Sequence, residues 1–155
     1  MKKQIRNMKK NSVKLKSVKY KFLEHTADAK FQAFGKTLEE KFSNAALAMF
    51  SIMVDTTKVK AKIEKKISIE GSDEKSLLYN FLEELLFLLD TEYFLLNKVK
   101  SIKINKDKDK NKNRLDATFV GDNKMKEYQL LGEVKAVTYN DMDINPEYVQ
   151  VVVDL

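Results

Sequence analysis

Residues 149–153 read Val149-Gln150-Val151-Val152-Val153, and only Asp154 and Leu155 follow. β-Branched side chains are stiff in a helix and pack well on a pleated surface, so this run reads as a strand. Terminal residues fray unless such an element holds them down. Held there, the side-chain carboxylate of Asp154 and the α-carboxylate of Leu155 share one ordered scaffold. Two adjacent anionic groups repel until solvent, a Lys or Arg partner, or a hard cation such as Ca²⁺ or Mg²⁺ neutralises them. The spacing alone leaves a solvated strand end and an ion site both open.

The rest of the chain supplies the sheet and its cover. Tyr20 to Leu23 and Ala29 to Phe34 read as extended segments around a compact polar Glu24-His25-Thr26-Ala27-Asp28, with Gly35 ending the second. Thr37-Leu38-Glu39-Glu40 is a capping box, in which Thr37 accepts from the backbone at Glu40 while Glu40 reaches back. Phe42, Ala45, Ala46, Met49, Phe50 and Met53 then recur at helical spacing, a stripe that reads as core. Val59 to Ile69 alternates as a half-buried strand, and Gly71-Ser72-Asp73 provides a turn and a helix start.

Leu77, Leu78, Phe81, Leu82, Leu85, Leu86 and Leu89 cover so broad a face that this second helix is expected at the centre of the domain. Glu83, Glu84 and Asp90 are expected to point to water. Val99 to Ile104 and Leu115 to Val120 read as a hairpin. The Lys/Asp/Asn connector 105–113, lacking any core-forming residue, is expected as an expanded loop. Val134 to Tyr139 and Tyr148 to Val153 complete about seven strands and two principal helices, not alternating as βαβα. The expected class is α+β, with the helices packed on a largely antiparallel sheet.

The 155 residues carry a formal charge of +6, but residues 1–19 hold eight basic side chains and no acidic one. Removing those eight from 29 leaves 21 Lys and Arg against 23 Asp and Glu, so residues 20–155 are near −2. The basicity belongs to a tail with too little apolar surface to order itself, and residues 20–155 form one domain. The tail is either a phosphate-binding arm or a solvated extension. It lacks the apolar centre of a secretory signal. No stretch is long and apolar enough to span a membrane. The absence of cysteine suits a reducing compartment, and the cytoplasm is the expected location.

Absences narrow the chemistry further. With no cysteine and a single histidine, His25, thiolate and multi-histidine metal sites are ruled out, so any metal is held by oxygen. Gly35, Gly71, Gly121 and Gly132 are isolated turn residues rather than a phosphate loop. A self-sufficient hydrolase would have to rest on His25, with no Ser or Cys motif beside it. No catalytic residue is expected.

Six pieces in order carry a resemblance over residues 20–155: His25-Thr26-Ala27-Asp28; Gly35 to Glu40 before Asn44 to Phe50; Asp55; Leu82 to Asp90; Lys135-Ala136-Val137-Thr138-Tyr139; and Val151 to Leu155. Together they resemble the archeases, accessory proteins of the 3′-phosphate RNA ligase that joins tRNA exon halves. The resemblance implies a non-catalytic partner of that tRNA-splicing ligase, one that promotes its guanylylation and repeated turnover on 2′,3′-cyclic-phosphate ends. It implies a divalent ion, calcium, held by Asp28, Asp154 and Leu155. Lys135 and His25 are the further candidates for the working surface. Where the family usually follows Lys-Ala-Val-Thr-Tyr with His, this chain has Asn140. The competing reading is an RNA-binding or chaperone-like module acting through residues 1–19. A third is a metal-dependent hydrolase using Asp28 and Asp154.

Overall fold

The computed structural model of this protein describes residues 18–24 and 28–155. His25 and all but the last two residues of the basic tail lie outside the described residues. Among the described residues, seven strands and two α-helices follow in the order β1 (Tyr20–Leu23), β2 (Asp28–Phe34), α1 (Leu38–Ser51), β3 (Ile63–Gly71), α2 (Glu74–Glu92), β4 (Leu95–Asp107), β5 (Lys112–Asp122), β6 (Ala136–Ile144) and β7 (Tyr148–Asp154). This is the expected α+β fold. The strands divide between two sheets, one ordered β1-β2-β7-β6 and the other β3-β5-β4. Every pairing among these strands is antiparallel.

Both helices begin as the sequence dictates. Thr37 Oγ1 accepts from the Glu40 N–H at 3.1 Å. The return bond differs: Glu40 Oε2 accepts from the Lys36 N–H, one residue before the cap. Asp73 opens α2 by accepting from the Ser76 N–H at 2.7 Å, and Ser76 Oγ accepts from the Asp73 N–H at 3.1 Å. The apolar stripes are inside. Phe42, Ala45, Ala46, Met49 and Phe50 are fully buried, as are Leu77, Leu78, Phe81, Leu82 and Leu85. The Phe42 and Phe81 rings lie 5.9 Å apart between the helices, and Phe81 meets Phe119 of β5 at 5.7 Å. Each helix touches strands of both sheets, so the helical pair and the two sheets share one core.

Four local expectations are corrected. The hairpin β4–β5 stays paired to Asp107↔Lys112, so most of the expected loop 105–113 is ladder and only 108–111 form its turn. Backbone hydrogen bonds carry this stretch beyond the core, where no face is buried and no hydrophobic alternation is needed. Gly121 is a strand residue, not a turn residue; a Cβ there would stand 1.9 Å from the Leu95 carbonyl oxygen, so only glycine lets β4 and β5 approach so closely. β3 starts at Ile63 rather than Val59, which instead caps a 3₁₀ turn at Thr56–Lys58. Glu83 does not point to water. Its Oε1 accepts from the Val137 N–H at 2.9 Å and ties α2 to the start of β6. Among the described residues, no helix is long and apolar enough to cross a membrane.

Candidate metal centre at one end of the four-stranded sheet

β2 and β7 are each apolar on one face. Ala29, Phe31 and Ala33 stand opposite Val153, Val151 and Val149, and all six are buried. Because side chains alternate, the other face carries Asp28↔Asp154, Lys30↔Val152, Gln32↔Gln150 and Phe34↔Tyr148. The register therefore sets two carboxylates directly across from one another, although 126 positions separate them in sequence. Directly opposed side chains in an antiparallel pair have Cβ atoms only about 4.5–5.5 Å apart, and opposed like charges destabilise the pair.

The neighbours of this pair come from the third strand. Ala136 is opposite Asp154 on the β6 side, and the Lys135 N–H donates to the Asp154 carbonyl at 2.8 Å. Lys135 is exposed and immediately precedes β6. Leu155 packs its partly buried side chain against the core, which restrains the residue after Asp154. The structure thus brings Asp28, Asp154, Leu155 and Lys135 to one end of one sheet. His25 cannot be placed with them, since it lies outside the described residues.

Two groups at this edge were not among the sequence candidates. β6 breaks register between Thr138 and Asp143, and the four intervening residues form a bulge. Asp141 adopts φ 51 there, a left-handed conformation that Asp tolerates better than most side chains. Its carbonyl accepts from Gln150 Nε2 at 2.7 Å, and its carboxylate pairs with Lys30 at 3.4 Å. Thr138 Oγ1 donates to the Val152 carbonyl at 2.8 Å and accepts from the Asn140 N–H at 3.2 Å. Asn140, where the resemblance anticipates His, is an exposed member of this bulge. Lys30 was legible, since it lies two positions from Asp28 and so on the same face. Asp141 was not, because a bulge moves side chains off the period of two.

As a donor set the end of the sheet is oxygen-only and anionic, with Lys30 and Lys135 as the nearby cations. That composition suits a hard divalent cation rather than a soft or redox metal. Among the described residues, no group of three or more His, Cys, Asp or Glu side chains is placed to hold a metal ion. A third protein donor there would be the α-carboxylate of Leu155, a neutral backbone or side-chain oxygen, or a group outside those residues.

Similarity to known proteins follows the same boundaries. The profile of the Archease protein family matches residues 20–155. "Protein archease" of Methanothermobacter thermautotrophicus is 44% identical over 128 residues, spanning 83% of this chain and 89% of that protein. "Protein archease" of Pyrococcus furiosus is 40% identical over 122 residues, spanning 78% and 84%. The solution structure of Methanobacterium thermoautotrophicum protein 1598 superposes with a TM-score of 0.72 at 39% identity, covering 88% of this chain and 99% of that one. With the family match spanning residues 20–155 and these identities over most of its length, the chain belongs to the archease family.

Proposed function

We propose that this protein is a non-catalytic activator of a 3′-phosphate RNA ligase acting in tRNA splicing, working through a divalent-ion site at Asp28 and Asp154. The observation that carries the reading is the direct register of those two carboxylates, an opposition of like charges that a bound cation would relieve. Asp28 and Asp154 would hold the ion, with the α-carboxylate of Leu155 as third donor, and calcium is the ion expected. When bound, a divalent cation supplies a positive centre able to accept a further anionic oxygen from the partner.

The protein's own residues do the rest. The fully buried Val149, Val151 and Val153 lock β7 in register, fixing the position of Asp154. The Lys135 N–H holds the Asp154 backbone from the other side, leaving the Lys135 ammonium exposed at the same edge to meet an anionic group. Nothing here has to move a proton or form a covalent bond, which suits a protein that conditions an enzyme rather than acting as one.

The test is ligation of an RNA with a 2′,3′-cyclic-phosphate end by the purified ligase, with and without this protein. Asp28→Asn and Asp154→Asn should each lose most of the stimulation while remaining folded. Full stimulation by the doubly substituted protein would overturn the reading. Turnover of RNA by the isolated protein would instead favour a metal-dependent hydrolase.

A further inference from the structure

We propose that a second site, at the other end of the four-stranded sheet, binds one nucleotide of a single-stranded nucleic acid. A cleft of about 540 Å³ opens between the first residue of β1, the connection that follows α1, and residues 127–131. That size lies within the range of small-molecule clefts. Tyr20 pairs with Ala33, five positions along β2 from Asp28, about 17 Å at the rise of a strand. The cleft is therefore separate from the carboxylate pair.

Its walls are held by bonds that need no ligand. The Leu131 N–H donates to the Met53 carbonyl at 2.8 Å, which fastens the outer segment to the end of α1. The Tyr128 hydroxyl donates to Asp122 Oδ2 at 2.6 Å and accepts from the Lys60 N–H at 3.1 Å. Asp122 is itself 1% exposed, so this tyrosine is anchored to the core. Asp55 Oδ1 accepts from both the Thr57 N–H and the Thr57 hydroxyl, fixing the short 3₁₀ turn.

The chemistry of the lining selects the ligand. Tyr20 and Tyr128 bring aromatic rings from two different walls, Val54 and Leu131 add apolar surface, and Lys58 and Lys60 add cationic charge. A bare anion would meet Asp55 and Glu127 as well as the lysines and gain little. A purely apolar ligand would strand four charges. A nucleotide suits the mixture: its base stacks on tyrosine, its phosphate meets lysine, and the exocyclic amino group of an adenine can donate to a carboxylate. The sequence leading into Tyr20 reinforces this, since residues 1–19 contain eight basic side chains and no acidic one. A strand with one base in the cleft would carry its next phosphates past the point where that segment joins.

The test is fluorescence anisotropy of a short labelled oligoadenylate with the full-length chain. Tyr20→Leu should weaken binding about tenfold, the loss of one base stack, whereas Tyr20→Phe should bind nearly as well as the parent. Lys58→Ala combined with Lys60→Ala, both at exposed positions, should weaken binding and lower the salt slope by about 0.7 for each phosphate of the single strand no longer neutralised. Unchanged affinity in the double lysine variant and in a folded Tyr20→Leu protein would overturn the proposal. So would complete loss of binding on deleting residues 1–17, which would assign all of it to the arm.

Discussion

Asp28 opens a strand, and the register sets Asp154 against it, so each residue's behaviour depends on the other. Replacing Asp28 by Asn removes one of two opposed charges. In the parent, a ligand that binds only the folded state at a hundred times its Kd adds about 2.7 kcal/mol. Calcium should therefore raise the parent's Tm, and Asp28→Asn should abolish that rise; a calorimetric scan with and without the ion decides. Glu83 gives a second prediction at this scale. Glu83→Ala leaves the N–H of the buried Val137 without its acceptor and should cost about 1–3 kcal/mol, read by urea unfolding. Stability equal to the parent would mean that water replaces the carboxylate.

Among the elements, α2 is the one whose boundary is most plainly chemical. Asp73 accepts from the Ser76 N–H, and this hydrogen bond holds its carboxyl below the ordinary value of 3.8. A lowered folded-state pKa stabilises the charged form. The contribution is complete above pH 3.8 and disappears as pH falls through the lowered value. Asp73→Ala should cost about 1 kcal/mol near neutrality, and the difference from the parent should shrink in strong acid. Denaturant melts at several pH values would check both limbs. Asp122 follows the same sign, since the Tyr128 hydroxyl donates to it and holds it low.

For the whole molecule, the proposed partner surface includes the last residue. Extending the chain past Leu155 should impair ligase activation while leaving Tm nearly unchanged, because the core stripes at Phe42–Met53 and Leu77–Leu85 are untouched. An extension before Met1 is the control, being separated by the basic segment from the domain. Equal activation by both tagged proteins would remove Leu155 from the working surface.

Periodicity carried much of this architecture. The stripes of α1 and α2 and the Val-rich β7 were legible because burial of one face imposes a repeat of 3.6 or 2. Even so, Leu88 is buried where Leu89 was expected, and Leu89 is only partly covered. The outer ends of β4 and β5 were illegible for the opposite reason, since a ladder standing clear of the core leaves no apolar signature. Asp28 and Asp154 were each visible as acidic residues next to strands, and the resemblance joined them. Their facing positions, the Asp141–Lys30 pair and the Glu83–Val137 bond belong to tertiary structure alone. Local sequence specifies which face of an element is apolar. Which polar groups then meet across that element depends on strand order, register and one bulge, quantities that exist only once distant segments have packed.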